Sequence, residues 1–504
     1  MRLSFAGVST APSRRRRTLA RIRSTPRPLV LLLLVGAIQS IAWNLALPPF
    51  QGPDEATHFA YVQHLAETGE LPSASTGGTA YSSEEEGALV TLNVISLQGD
   101  LYARPAWGQA DLNAWRAVER TYTQAGRENG AGPNPIAKNP PLYYAAMSVP
   151  YRLLTWLPLL KRLFVLRLFN ALCYLATIAM TWLIARELFG RVRWKALLAA
   201  GAVALQPQLA FMSAVINADN LLVALTTAVL LASLRLVTRG PSMGRVLTAS
   251  ALSAAAILTH GRGLVTLPVL AVTLAACWYS YRPALRDTLK RGAAALATVG
   301  GAFLAYLAFG RSGGSLYGGQ ISQLNSGTSF SLRGFLSSIY QFYLPRLTSM
   351  RARIGPAYGY KQVFIDSFYG TFGSLEVTFK ARTYDLLQVL SALGLVGLFT
   401  AVVTRWRRLW SAWPVVVVLL ALLASNVFFL HYVSYRSLLG NGGSDPLIVG
   451  RYLLPMVSLF GLAIAFTAGA LPRRLGPLLG AAILALGVLL SLAGIGITAA
   501  RFYA

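Results

Sequence analysis

The chain has 504 residues, 55% of them hydrophobic and only 12% charged, and its mean hydropathy is +0.52. Water-soluble domains carry roughly 25% charged residues, so an ordinary soluble enzyme is excluded and an integral membrane protein is indicated. The net charge of +27 does not indicate a nucleic-acid partner, because no basic soluble stretch is present to form an interface.

Residues 1–27 hold Arg14-Arg15-Arg16-Arg17, Arg21, Arg23 and Arg27 without an acid. This composition predicts a basic cytoplasmic arm against an anionic leaflet. The apolar run 28–47 is long enough to span and lacks a small-x-small cleavage site, which favours a retained helix over a signal peptide. Residues 48–162 are too polar to cross, with Glu84-Glu85-Glu86, Asp100, Asp111, Glu119 and Glu128. They read as an ordered cap with helical stretches at 56–65 and 111–122. The cap returns through Asn139-Pro140-Pro141-Leu142-Tyr143-Tyr144 into an apolar run broken by Pro150, Arg152 and Pro158. That run is expected to lie at the interface, since a crossing would invert every later loop.

Further spans are expected at 163–185, 195–213, 219–237, 246–259, 263–280, 292–309, 385–404, 413–431, 450–470 and 475–498, about eleven with the first. Their short loops at Arg191–Lys195, Arg239–Arg245, Arg282–Arg291, Arg405–Arg408 and Arg473-Arg474 then all face the cytoplasm. Of the acids only Glu187 and Asp287 share that side. A second outer segment, 310–384, begins Gly/Ser-rich and then turns aromatic and basic, which reads as a mobile loop followed by interfacial helices. The expected fold is an all-α polytopic membrane protein with two long extracytoplasmic loops containing interfacial helices. Its parts are the arm 1–27, a transmembrane module 28–309 that includes the first outer loop, the second outer loop 310–384, and C-terminal helices 385–504. Cys173 and Cys277 lie in apolar runs and imply neither a disulfide framework nor a metal set.

The first outer loop opens on Gln51-Gly52-Pro53-Asp54-Glu55-Ala56-Thr57-His58 at the mouth of a membrane helix. Ionisable groups are costly there unless they have a task. Two readings are open: the acids favour the N-terminus of the next helix, or they do chemistry. Three more polar clusters fall on the outer side. Lys138 precedes the Asn-Pro-Pro-Leu-Tyr-Tyr return. Asn217-Ala218-Asp219-Asn220 forms a short turn in which Asp219 is either a cap or a functional acid. The fourth cluster is basic, with His260-Gly261-Arg262, Arg436, and Arg451-Tyr452 opening a helix. Arg451 is either a snorkelling arginine or a ligand for a lipid phosphate. Carboxylates that deprotonate a hydroxyl, beside arginines that neutralise a phosphate leaving group, suit sugar transfer from a polyprenyl-phosphate donor. No P-loop and no H-E-x-x-H zinc site is present.

The Pro-Asp-Glu…His start, the Asn-Pro-Pro-Leu-Tyr-Tyr return, Arg167-Leu168 and the Asn/Asp-Leu-Leu turn at 217–222 resemble the C-type (GT-C) glycosyltransferases. That superfamily includes protein mannosyltransferases and aminoarabinose transferases. The Pro-Asp-Glu…His-Phe-Ala-Tyr-Val-Gln start with Gly-Arg-Tyr-Leu-Leu-Pro resembles a bacterial branch described as predicted multi-pass membrane proteins. The resemblance implies an inverting reaction outside the cytoplasmic membrane, with a polyprenyl-phosphate-linked sugar donor and an envelope glycan, lipid or protein acceptor. It implies Asp54 as base, Glu55 as its partner or a metal ligand, and Asp219 as the acid of the second outer loop. Lys138 would meet the donor phosphate. His58, Tyr143, Tyr144, His260, Arg262, Arg436, Arg451 and Tyr452 complete the expected substrate-binding set. If a divalent cation is used, Asp54, Glu55 and Asp219 would hold it; no other cofactor is implied. The chain departs from relatives at Thr259-His260-Gly261-Arg262, where a lysine is common. The alternatives are a transporter or flippase of a lipid-linked glycan, and a non-catalytic envelope-assembly subunit.

Overall fold

The computed structural model describes residues 26–73, 79–100, 102–104, 106–130, 132–137, 139–190, 192–312 (side chains to 308), 330–353, 359–440 and 447–504. The basic arm, Lys138, the Gly/Ser-rich start of the second outer segment and Asp445 lie outside the described residues. Nine described helices are long and apolar enough to cross a membrane: Arg27–Ala46, Leu159–Phe189, Asp219–Arg239, Gly261–Tyr281, Leu285–Ala308, Ala381–Thr404, Trp413–Gly440, Gly450–Ala468 and Leu475–Tyr503. The chain is thus a helical, multi-pass membrane protein. Its one described sheet is a small antiparallel hairpin pairing Thr371 with Thr378 and Phe372 with Val377.

Nine helices stand where eleven spans are expected, and two local features account for the difference. The expected span 195–213 is broken. Arg193–Ala204 has 12 residues, about 18 Å against a hydrocarbon core of about 30 Å. Gln206 then turns extended, its side chain accepts the Leu209 N–H, and Pro207 restarts the chain as Pro207–Met212. Proline suits a first helical turn because its missing N–H has no partner there anyway. The second case is Met243–Thr259, apolar but only 17 residues long.

The polar segment between the first two spans is folded, as expected of a cap. Its centre is an aromatic core of Phe50, Phe59, Tyr61, Trp115, Tyr143, Tyr144 and Tyr151. The helices form close to their expected places, as Glu55–Thr68 and Gln109–Glu119. Leu142–Leu153 has 12 residues and packs on Glu55–Thr68. It exposes Val149, Leu153 and, just beyond, Trp156, the amphipathic habit of an interfacial helix.

Buried arginines tie the cap to the bundle. Arg162 binds Glu84 bidentately at 3.0 and 3.2 Å and donates to the Tyr151 hydroxyl at 2.6 Å. Gln63 joins the same group through Glu84 and Tyr151 at 2.9 and 3.0 Å. Arg501, near the chain end, donates to the carbonyls of Leu97, Asp100 and Ala103. The hairpin adds a third tie: Phe372 packs on Trp43 at 4.7 Å and Phe211 at 5.4 Å. At the far end of the same helices, Glu187 pairs with Arg239, and Arg405 donates to the Gly469 carbonyl at 2.7 Å. The cap and the basic loops therefore occupy opposite ends of the bundle.

Candidate active site

The turn after the first span is held from beneath by Arg167. Its Nη1 and Nη2 donate to the carbonyls of Leu47 and Pro48, each at 3.0 Å. Its Nε and Nη2 clasp Glu55 at 2.8 and 2.5 Å, and Ile216 N–H donates to the same carboxylate at 3.1 Å. Gly52 lies so close to Val215 that an added Cβ would sit 2.5 Å from it. The turn is thus pressed onto the 215–217 segment, where Asn217 Nδ2 donates to the Pro53 carbonyl at 3.3 Å.

This support separates the two acids. Glu55 points down into its arginine pair and is buried. Asp54 adopts a left-handed backbone, φ 58° and ψ 14°, that non-glycine residues rarely take although Asp tolerates it. Its side chain does not cap the helix. Instead its Oδ2 accepts from Arg451 Nη2 at 2.6 Å, with the Asp54 side chain 52% exposed and that of Arg451 10%. The capping alternative for Asp54 is therefore not what the structure adopts.

A parallel pair lies beside it. Asp219 opens the Asp219–Arg239 helix, and its N–H is fixed by Asn217 Oδ1 at 2.9 Å. Its carboxylate pairs with Arg262. The Arg262 guanidinium stacks 4.1 Å from the Tyr452 ring, and Arg451 lies 5.4 Å from the same ring. One tyrosine ring is therefore in contact with both cations. Gly450 sets this position: a Cβ there would meet Phe368 N at 2.2 Å, and its own N–H donates to Ser367 Oγ at 2.7 Å. Both guanidiniums keep hydrogen-bonding capacity. Arg451 Nε and Nη1 and Arg262 Nη1 are buried without a hydrogen-bond partner among the described residues. Buried donors of this kind carry a penalty unless something satisfies them.

His58 completes the cluster. Asn139 Nδ2 donates to the Tyr144 hydroxyl at 3.0 Å, and that hydroxyl is hydrogen-bonded to His58 Nδ1 at 2.9 Å. Tyr61 stacks on Tyr144 at 3.7 Å and 3°. Burial lowers His58 to about 4 against the pull of Asp54 and Asp219, with Arg451 and Arg262 pushing the same way as burial. His58 is therefore neutral near pH 7. His260 accepts the Arg262 N–H at 3.0 Å and is lowered to about 3 by burial and then by Arg262. Burial alone raises the Asp54 carboxyl; Arg451 and then His58 outweigh it and leave Asp54 below its ordinary value. An ionised carboxylate, a neutral imidazole and two guanidiniums with free donors can hold an anion and accept a proton in one place.

The expected residues divide as follows. Asp54, His58, Tyr144, Asp219, His260, Arg262, Arg451 and Tyr452 gather into one network. Glu55 is linked to Arg167, and Tyr143 donates to Asn170 Oδ1 at 3.2 Å, so both serve the support beneath. Arg436 sits on the Trp413–Gly440 helix with no ion pair among the described residues and a buried, unpartnered Nε. Among the described residues no three His, Cys, Asp or Glu side chains form a metal cradle. Asp54, Glu55 and Asp219 each face an arginine, so these three do not share a cation site as arranged here. Sequence reasoning named Asn217 and Arg167 only as motif residues and missed the support they build with Glu55, together with Tyr61 and the Arg162–Glu84 pair. Arginines opening an otherwise apolar helix at 162 and 167 were the available signal, since such charges are rarely left unpaired.

Similar folds occur among solved structures. The archaeal oligosaccharyltransferase AglB from Archaeoglobus fulgidus, in complex with an inhibitory peptide and a dolichol-phosphate, aligns with a TM-score of 0.50 at 13% identity, over 94% of this chain and 56% of its own. ArnT from Cupriavidus metallidurans aligns in its apo state with a TM-score of 0.44 at 15% identity, over 88% of this chain and 60% of its own. ArnT bound to undecaprenyl phosphate aligns at 0.45 and 14%, over 94% and 72%. The chain thus spans 56% of AglB and 60% of apo ArnT, less than two thirds of either, and the AglB match shows a common GT-C-like fold. A search of curated protein sequences returned no match. Residues 37–460 match the family described as "Predicted membrane protein (DUF2142)", and the chain belongs to that family.

Proposed function

We propose that the protein is a glycosyltransferase that takes a sugar from a polyprenyl-phosphate carrier and acts at the outer face of the cytoplasmic membrane, with its N-terminus in the cytoplasm. The acceptor is an envelope glycan, glycolipid or protein. The observation that carries this reading is the convergence of two carboxylate–arginine pairs, Asp54–Arg451 and Asp219–Arg262, around Tyr452 and His58. Asp54 has the open face of the network and is the base that removes the acceptor hydroxyl proton. Arg451 and Arg262 have unpartnered donors and hold the phosphate leaving group. Asp219 orients Arg262. His58 is the neutral imidazole beside them, hydrogen-bonded to Tyr144. Glu55 positions the turn and stays outside the chemistry. Lys138 and Arg436 remain candidate contacts for the donor headgroup.

The test is transfer of label from a radiolabelled pool of lipid-linked sugars by the purified protein, with formation of a new glycosidic bond. Asp54→Asn in a folded protein should abolish most of that transfer. Wild-type turnover in Asp54→Asn would end the assignment of the base.

A further inference from the structure

We infer that the Asp54–Arg451 ion pair is a lock opened by the donor: the phosphate takes Arg451, and the Asp54 side chain swings free to act as the base. This inference rests on the lipid-phosphate reading above and adds to it an order of events. As the pair stands, each role is weakened by the other. Arg451 Nη2 is 2.6 Å from Asp54 Oδ2, so that donor is not offered to a phosphate. The same oxygen, already accepting a charged hydrogen bond, is a poor acceptor for a hydroxyl proton.

The rest of the geometry suits an exchange. Arg451 is incompletely satisfied, with Nε and Nη1 buried and unpartnered. Arg262 Nη1, whose guanidinium touches the same Tyr452 ring, is likewise unpartnered. An anion entering between them would satisfy donors that the carboxylate leaves idle. Asp54 is able to leave and Asp219 is not. The Asp54 side chain is 52% exposed, and that of Asp219 is 6% exposed and inside its arginine pair. The backbone of residue 54 does not have to move, because its carbonyl is held by Thr57 Oγ1 at 2.8 Å and His58 N–H at 3.1 Å. A side-chain rotation suffices. Arg451 keeps the Asp54 carboxyl below its ordinary range, so losing that partner strengthens the base at the moment a leaving group is present.

The lock predicts competition between Asp54 and the phosphate for Arg451. Binding of undecaprenyl phosphate to the full-length protein in nanodiscs is compared with binding of undecaprenol, which has the tail alone. Asp54→Asn should tighten undecaprenyl phosphate roughly five- to tenfold and leave undecaprenol unchanged. Asparagine and glycine both accept the left-handed conformation at this position, so Asp54→Gly is a second variant with the same expectation. In an Arg451→Gln background the Asp54→Asn gain should vanish, as a double-mutant cycle requires for a direct pair. Binding that is equal or weaker in both Asp54 variants overturns the lock while the glycosyltransferase reading stands. A gain that persists undiminished without Arg451 also overturns it, because it reports general repulsion. If the wild-type protein shows no preference for undecaprenyl phosphate over undecaprenol, the lipid-phosphate reading falls and the lock falls with it.

Discussion

Arginine–carboxylate pairs are built in two ways in this molecule. Beneath the cap, Arg167 is saturated by Glu55 and two carbonyls, and Arg162 satisfies Glu84, Tyr151 and the Leu157 carbonyl, leaving only its Nε unpartnered away from any opening. At the cluster, Arg451 and Arg262 each hold one carboxylate and leave buried donors unused. Residue types and charges are the same. The difference lies in leftover hydrogen-bonding capacity and in access, and these separate a strut from a site. A saturated buried pair is expensive to break and has nothing to offer a ligand, whereas an unsaturated pair beside an opening can gain by binding an anion.

The contrast can be broken by experiment. The largest expected effect is on turnover: Asp54→Asn should lose about 10²–10⁴-fold in kcat with an unchanged melting temperature in detergent. A melting temperature that collapses would move Asp54 to the structural class. Arg167→Ala should do the reverse. It leaves Glu55 buried without its cation and should cost roughly 3–5 kcal/mol of stability, read as loss of the folded peak on size-exclusion after mild heating. Arg262→Lys keeps the charge and loses the planar fork, so the donor KM should rise about tenfold with stability within about 1 kcal/mol of wild type. An unchanged KM would remove Arg262 from the phosphate site.

Two smaller effects sharpen the picture around His58. Its folded value of about 4 lies below its ordinary 6.5. Between these values the unfolded chain binds a proton that the folded chain refuses, so stability falls as pH drops from 6.5 toward 4. The slope contributed by His58 is at most about 1.4 kcal/mol per pH unit, and His58→Gln should flatten the melting-temperature profile over that window. A profile with the same slope in both proteins would contradict the buried neutral imidazole. Tyr144→Phe removes two hydrogen bonds, to Asn139 and to His58, and should cost about 2 kcal/mol while freeing His58 Nδ1, which should appear as a change in the histidine ring nitrogen shifts by NMR.

Much of the fold was legible because it follows from one-dimensional quantities. Apolar run length marks spans, and nine of the expected spans are long apolar helices. The polar 48–162 segment had no choice but to fold outside the hydrocarbon, and its helices at 56–65 and 111–122 formed nearly in register. The break at Gln206-Pro207 was harder. Its surroundings are as apolar as a true span, and hydropathy does not register a side chain capping the Leu209 N–H. The site was legible in part. Asp54, Asp219, Arg262 and Arg451 stand out as charges at span ends. Glu55 carries the same signal from the adjacent position, yet it belongs to the support.

By itself the sequence determined that the chain enters a bilayer and which charged residues lie at the mouths of its helices. These follow from transfer free energies that act on each segment separately. Only the tertiary structure decided that Arg451 meets Asp54 across 397 positions, and that Glu55 turns toward Arg167. The physical reason is that partner choice among buried charges depends on which donors and acceptors remain unfilled once the backbones pack. That balance is set jointly by a left-handed turn at Asp54, a close approach at Gly450 and a tyrosine in contact with two cations.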